Sequence, residues 1–110
     1  MPTPHRPSVA VRNTLRKLGQ DLRDARRRRS LPAGVVADRA FTSRPSLSRV
    51  EKGDPTVSIG IYASVLQALG LLDGLNQLAD SSHDSVGLAL ANEKLPQRVR
   101  LRRAPEDTRA

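Results

Sequence analysis

The sequence predicts an all-α protein, a five-helix bundle with a short C-terminal helical extension and flexible ends. Apolar residues recur at steps of three and four, the spacing of one helix face, along most of the chain. Serines precede several of these segments and glycines follow two of them, as helix caps and helix ends do. Fifteen leucines are enough for one small core.

The first helix begins at Ser8 and is the longest. The preceding segment 1–8 contains three prolines, and we expect it to be a disordered arm. Arg26–Arg29 close the helix, where cations interact favourably with the negative end of its dipole. Its inward stripe falls at steps of four, three, four and three: Val11, Leu15, Leu18, Leu22 and Ala25.

Two short helices follow, separated by the turn FTS. The first is formed by LPAGVVADRA, with Pro32 tolerated in its opening turn. Ser43 caps the second, RPSLSRVEK, in which Leu47 and Val50 point inward. Gly53 ends that helix in the left-handed conformation that glycine adopts without strain.

A fourth helix extends from Ile59 to Leu69, capped by Ser58 and ended by Gly70. Its inward stripe consists of Ile59, Tyr62, Val65, Leu66 and Leu69.

Two further helices complete the predicted architecture. The fifth extends from Leu72 to Ala79, and the sixth contains Val86 and Leu95 and stops at Pro96. The segment 66–90 has more leucines than a small core must cover, so it is the predicted pairing surface of a homodimer. The predicted interface residues are Leu72, Leu75, Leu78, Leu88 and Leu90.

The charge is concentrated on the first half of the chain. The net charge is +8, and residues 1–30 carry +7 of it, whereas residues 61–90 carry −3. A strongly basic chain is typical of proteins that bind nucleic acid. The absence of cysteine and the presence of only two separated histidines, His5 and His83, give no basis for a metal site, a cofactor or an enzyme.

Residues 31–70 carry a resemblance to a known family. The pattern L-S-Q-x-x-L-A-x-x-A-G-V-S-x-x-T-L-S-R-I-E-x-G, followed by a capped helix that ends A-L-G, is that of the Cro/repressor (Xre) family of helix-turn-helix DNA-binding domains. The chain resembles it without a gap, and with the first helix the resemblance covers residues 9–80. The matching residues are Leu31, Val36, Ala37, Ala40, Ser43, Leu47, Ser48, Arg49, Val50, Glu51, Gly53, Ser58, Ile59, Val65, Ala68, Leu69 and Gly70.

Four positions depart from the family pattern. Pro32 replaces the cap serine, and Ala33 replaces the glutamine that follows it. Pro45 stands where the family often has a polar base reader. Phe41 replaces the turn glycine, so the turn must either be shaped differently or be strained.

The resemblance implies that the third helix is the recognition helix, which places its N-terminal residues against base edges. The implied base-contacting residues are Arg44, Pro45, Ser46, Ser48 and Arg49. Arg44 is the preferred base reader because a guanidinium can bind guanine O6 and N7 together; the alternative is a solvated charge. Arg49 either reads a base, pairs with an acid or holds a phosphate.

Phosphate contacts are expected from Ser43, Lys52, Arg29 and Thr42. The run Arg26–Arg29 is expected to act as a diffuse positive charge. The tail arginines Arg98, Arg100, Arg102 and Arg103 are expected to form a flexible arm or a groove contact.

Three other features have interpretations that do not involve DNA contact. Glu51 has no second carboxylate at a catalytic spacing and is expected to form an ion pair. Phe41 and Tyr62 are the only two aromatic residues, and both are expected in the core. The basic amphipathic first helix also fits a membrane surface, but the helix-turn-helix pattern explains the same residues better.

A narrower resemblance extends over FTSRPSLSRVEKGDPTVSIGIYASVLQALGLLDGL and LPQRVR, which are similar to antitoxins of the HipB type. This implies an autoregulating antitoxin of a type II toxin-antitoxin operon, with a palindromic DNA operator and a HipA-like kinase toxin as partners. The alternative is a stand-alone or phage-type Xre regulator. Either would act at the bacterial nucleoid in the cytoplasm, with residues 9–80 as the DNA-binding domain, 81–97 as a dimerisation or partner segment and 98–110 as a basic tail.

Overall fold

The computed structural model describes residues 6–94, and within that range the chain is helical, without β-strands. Its helices are α1 (Val9–Arg28), α2 (Ala33–Arg39), α3 (Arg44–Glu51), α4 (Ile59–Ala68), α5 (Leu72–Gln77) and α6 (Ser85–Lys94). A short 3₁₀ turn, Ser81–His83, precedes α6. The predicted all-α class is confirmed. The chain divides between Leu75 and Asn76 into two compact units.

Three serines begin the longer helices of the first unit. Ser8, Ser43 and Ser58 have extended backbones, and each hydroxyl accepts a hydrogen bond from the amide three residues later, at 3.1–3.2 Å. Such a cap satisfies an amide that the helix itself leaves unpaired and stabilises it by about 1 kcal/mol. The predicted caps are therefore confirmed at both Ser43 and Ser58.

The helices α1 to α4 end in one recurring turn, in which the residue after the C-cap adopts the left-handed conformation. Those residues are Ser30 (φ 53°), Phe41 (φ 55°), Gly53 (φ 73°) and Gly70 (φ 77°). In each case two amides bond back to carbonyls of the last helical turn, the pattern of a Schellman motif. The sequence predicted the two glycines and left open whether Phe41 would reshape its turn or be strained in it, whereas it gave no indication of the serine.

The core of the first unit is built from ten buried residues of α1 to α4, including the C-caps of α2 and α4. They are Leu22, Ala25, Val36, Ala37, Ala40, Leu47, Val50, Tyr62, Val65 and Leu69. The recognition helix predicted from sequence thus lies against α1, α2 and α4 through Leu47 and Val50.

Three predicted core residues are exposed instead. Val11 is 47 % exposed and Ile59 is 73 % exposed, because each lies in the opening turns of its helix, beyond the elements that the helix packs against. The 20 residues of α1 span roughly 30 Å, far more than the short α2 and α3 can cover. Phe41 is 93 % exposed, since its backbone belongs to the turn rather than to a helix face.

A close approach of α1 to the end of α3 was not anticipated. A Cβ on the buried Gly19 would lie 2.6 Å from both the Gly53 nitrogen and the Val50 carbonyl oxygen. A Cβ on Gly53 would in turn meet the Leu15 carbonyl. Two glycines therefore let the backbones of α1 and α3 touch.

The second unit is described from residue 76 to residue 94, and no residue in that range is buried. Asp80 caps the 3₁₀ turn, and Asp84 accepts a hydrogen bond from the Gly87 amide at 3.0 Å in the first turn of α6. Val86 and Leu90 are more than half exposed. No described helix is long and apolar enough to cross a membrane.

Several boundaries differ from the predicted ones. Pro32 is the N-cap of α2 rather than a first-turn residue, and α5 ends at Gln77 rather than Ala79. Of the predicted arm 1–8, the structure describes only residues 6–8, and Ser8 is the N-cap of α1. Leu95, Pro96 and the tail 98–110, with its four predicted arm arginines, lie outside the described residues.

Candidate nucleic-acid interface

The four residues Ala40 to Ser43 connect α2 to α3. The Phe41 amide donates to the Asp38 carbonyl at 3.1 Å, and the Thr42 amide donates to the Ala37 carbonyl at 3.0 Å. These bonds require the left-handed backbone at Phe41. The turn therefore keeps the shape that glycine would give it, and Phe41 is held in a conformation unfavourable for an L-residue with a side chain.

Helix α3, the predicted recognition helix, buries one face and exposes the other. Leu47 and Val50 are almost fully buried, whereas Arg44, Pro45, Ser48 and Arg49 are exposed. Lys52, the C-cap, is also exposed, and Ser46 is half-buried. Most of the predicted DNA-contacting residues of this helix thus lie on its solvent side.

One flank of α3 borders a cleft that α1 also lines. Arg44, Ser48 and Lys52, four residues apart, face it together with Arg23 and Arg26 of α1 and Glu51. Since Arg26 and Glu51 neutralise each other, the cleft keeps three cations without an acidic partner in the described chain: Arg23, Arg44 and Lys52. Such a cluster attracts anions, among them the phosphates of nucleic acid.

On the other flank, hydroxyl groups connect the cap to the middle of the helix. Ser43 Oγ donates to Ser46 Oγ at 3.1 Å and also accepts the Ser46 amide at 3.2 Å. Arg49 Nη2 donates to Ser46 Oγ at 3.5 Å. The charge of Arg49 also contributes to lowering the pKa of Asp54, after the hydrogen bonds from Thr56. Arg49 thus has a hydrogen-bond partner, whereas within the described residues the Arg44 guanidinium makes neither a hydrogen bond nor an ion pair.

The ion pair Arg26–Glu51 joins α1 to the recognition helix. Arg26 Nε lies 2.7 Å from Glu51 Oε2 and Nη2 lies 3.1 Å from Oε1, while Nη1 donates to the Leu31 carbonyl at 3.2 Å. The side chains are only 14 % and 11 % exposed. The hydrogen bond to Glu51 raises the pKa of Arg26, against the opposing effect of burial. The predicted ion-pair role of Glu51 is confirmed.

The prediction that Arg26–Arg29 act together as a diffuse charge is wrong for Arg26, which is paired with Glu51. Its side chain points towards α3 and is held there, because position 26 lies one helical turn after the buried Leu22 and so on the inward face of α1. Arg29, a predicted phosphate contact, is exposed, and its Nη1 donates to the Ala25 carbonyl at 2.9 Å. Arg27 and Arg28 remain exposed.

The loop after α3 is fixed by a tyrosine. Tyr62 of α4 is buried, and its hydroxyl donates to the Asp54 carbonyl at 2.8 Å. Burial, and secondarily the Asp54 charge, raise the pKa of Tyr62. The Asp54 carboxylate accepts from the Thr56 hydroxyl at 2.7 Å and from its amide at 2.8 Å, which lowers the pKa of Asp54. The predicted core role of Tyr62 is confirmed.

Comparison with known families agrees with this geometry. Residues 17–78 match the model of the family described as Helix-turn-helix domain, over more than half of the chain. The chain belongs to this family. The matched domain is of the Xre/Cro type, as the sequence pattern implied. Domains of this type bind DNA, so the chain is a DNA-binding protein. No curated protein and no solved structure matches the chain.

The remaining predicted site residues, two at the start of α3 and five interface leucines, differ in their exposure to solvent. Ser43 is exposed and Thr42 half-buried at the start of α3. Of the predicted interface leucines, Leu72 and Leu75 are half-buried residues of the first unit. Those of the second unit are exposed: Leu78 (74 %), Leu88 (41 %) and Leu90 (53 %).

Proposed function

We propose that the helix-turn-helix protein is a sequence-specific transcriptional repressor that binds a palindromic operator as a homodimer. The observation that carries the proposal is the division of α3, with Leu47 and Val50 buried and Arg44, Ser48 and Lys52 facing a cationic cleft. A helix of eight residues contacts only a few base pairs, so a second copy on a symmetric half-site supplies the rest of the specificity.

The two ends of α3 have different proposed tasks. Arg44 is the first helical residue and its guanidinium makes no hydrogen bond or ion pair within residues 6–94, so its donors are available to a guanine. Lys52 is the C-cap, where the chain turns away from the helix, and we assign it to a phosphate. Pro45, Ser46, Ser48 and Arg49 complete the proposed base-contacting set, and Ser43, Thr42 and Arg29 the phosphate-contacting set.

Alanine variants of these two residues test the assignment. Once an operator has been selected from random duplexes, each variant is titrated with salt on that operator and on a scrambled duplex. Arg44→Ala should weaken operator binding by ~1–3 kcal/mol and leave scrambled binding nearly unchanged. Lys52→Ala should weaken both and reduce the salt dependence by about one counterion. Equal losses on both duplexes for Arg44→Ala would make it a phosphate anchor and move base reading to Ser48 or Arg49.

We further propose that this repressor is the antitoxin of a type II toxin-antitoxin operon, with a HipA-like kinase toxin as its partner. Support comes from the similarity to HipB-type antitoxins and from the exposed apolar side chains of the second unit, Val86, Leu88 and Leu90 among them. The test is co-expression with the neighbouring open reading frame. A kinase-like product whose toxicity the protein relieves supports the antitoxin role, and a neighbour of another kind identifies a stand-alone or phage-type regulator.

A further inference from the structure

Arg44 lies across the start of α2. A Cβ added to Gly34 would lie 2.6 Å from Arg44 Nη2, 2.9 Å from Nε and 3.1 Å from Cζ. Gly34 is the second residue of α2 and Arg44 is the first residue of α3. The guanidinium therefore occupies the space that any side chain at position 34 would need.

This contact is one of packing and not of hydrogen bonding. Within residues 6–94 no hydrogen bond or ion pair holds the Arg44 guanidinium, although it has five N–H donors. The side chain also separates two clefts, one lined by Arg23, Ser48 and Lys52, the other by Gly34, Thr42 and Ser43. A side chain at position 34 would displace the guanidinium towards one of these clefts or into solvent.

No backbone requirement explains a glycine at position 34. Its φ is not positive, unlike those of Gly53 and Gly70. The atoms facing it are the far end of a flexible side chain rather than backbone, unlike those facing Gly19. A glycine inside a helix is otherwise unfavourable compared with alanine. The feature it provides is room for the Arg44 guanidinium.

We infer that Gly34 is a specificity-determining position of the DNA site, acting as a positioning residue for Arg44. The inference rests on the proposed function of Arg44 as a base reader. An arginine loses much rotamer freedom when it is fixed on a base. Because position 34 has no side chain, the guanidinium can rest against α2 there, which restricts its positions before DNA arrives while leaving every donor free.

The experiment compares Gly34→Ala with Gly60→Ala in the full chain. Gly60 is likewise the second residue of its helix, α4, and a Cβ there meets only Ser58 Oγ at 3.7 Å, an ordinary contact. Both variants should melt at or above the temperature of the parent, because alanine favours the helix. Gly34→Ala should nevertheless weaken operator binding about tenfold, lower the preference for operator over scrambled duplex, and leave scrambled binding unchanged. Gly60→Ala should alter neither.

A double-mutant cycle shows whether the loss passes through Arg44. In the Arg44→Ala background, Gly34→Ala should cause no further loss on the operator, since the group it displaces is gone. A tenfold loss in both backgrounds would overturn the inference, as would parent-like operator binding by Gly34→Ala. If Arg44→Ala does not reduce operator preference at all, the proposed function of Arg44 fails instead.

A second measurement needs no DNA. The ¹⁵Nε relaxation of Arg44 reports the mobility of the guanidinium on the ps–ns timescale. Its order parameter should fall in Gly34→Ala and stay at the parent value in Gly60→Ala. An unchanged order parameter in Gly34→Ala would show that position 34 does not hold the side chain, and would overturn the inference even if operator binding were lost.

Discussion

At the scale of the residue, Phe41 shows what a sequence pattern can and cannot predict. The pattern marked position 41 as the place of a turn glycine, and the structure has the left-handed turn there. The pattern could not tell whether phenylalanine would reshape the turn or be strained by it. That depends on the two backbone hydrogen bonds that close the end of α2. Those bonds are kept, and the ring projects into solvent.

Replacing this phenylalanine by glycine should stabilise the protein. A residue with a side chain in the left-handed region is strained by roughly 1–3 kcal/mol, and glycine gives back part of that through its greater freedom in the unfolded chain. We expect Phe41→Gly to raise the free energy of unfolding by about 1 kcal/mol, measured by urea denaturation. Gln67→Gly, at an exposed position of α4, is the control and should lower it by about as much. A destabilised Phe41→Gly would mean that the ring makes stabilising contacts.

Tyr62 offers a direct measurement, because it is the only tyrosine and the chain has no tryptophan. Its pKa is raised by burial, so in a spectrophotometric titration the phenol should ionise above the ordinary value of 10.0. As the pH rises, the Tyr62 phenol ionises in the unfolded chain before it ionises in the folded one. The contribution of the neutral phenol to the free energy of unfolding is therefore complete below about pH 10 and is lost as the pH rises through the folded pKa. Tyr62→Phe should abolish this loss while losing about 1 kcal/mol of stability at neutral pH with the hydrogen bond to Asp54. Ionisation at the free value would contradict the buried position.

At the scale of the element, helix starts were predictable and close contacts were not. A serine cap acts on amides two or three residues away, so the sequence contains the whole interaction at Ser8, Ser43 and Ser58. The contact of Gly19 with Gly53 joins positions far apart in the chain, and no local pattern reports it. For the same reason, periodicity placed Val11 on the inward stripe without showing where α1 leaves its neighbours.

The Arg26–Glu51 pair makes the orientation of α3 against α1 testable. Removing one partner of a mostly buried pair leaves an uncompensated charge, which typically destabilises by ~3–5 kcal/mol. We expect Glu51→Ala to lower the free energy of unfolding by about 3 kcal/mol. The control is Asp21→Asn, which breaks the exposed pair Lys17–Asp21 (78 % and 55 % exposed) and should change stability by less than about 1 kcal/mol. Equal effects in a thermal or urea melt would show that Arg26 and Glu51 are solvated in solution.

At the scale of the whole molecule, composition predicted the class of partner, and the structure shows where part of the positive charge lies. The first thirty residues carry +7, and within the described chain Arg23 of α1 lies on the same cleft as Arg44 and Lys52 of α3. The net charge could not show that Arg26 is neutralised by Glu51. Side-chain pairing between distant positions decides which cations are available to DNA.

The proposed homodimer gives the last prediction, which depends on a leucine that the fold of one chain does not bury. Leu75 is half-buried, so an aspartate there would also disturb the first unit, whereas Leu78 is 74 % exposed and isolates the effect on pairing. An aspartate at position 78 would have to be desolvated in an apolar interface. Leu78→Asp should therefore shift the protein towards monomer in sedimentation equilibrium, while the monomer itself stays folded.

Asn76→Asp is the matched control, because it adds the same charge at an exposed position two residues away and should remain as dimeric as the parent. Leu78→Asp should also lose affinity for the full palindrome while binding an isolated half-site like the parent, since each α3 would still be intact. A parent that is monomeric at micromolar concentration, or an equal shift in both variants, would contradict the pairing surface. The second half of the operator would then have to be bound by a copy recruited only on DNA.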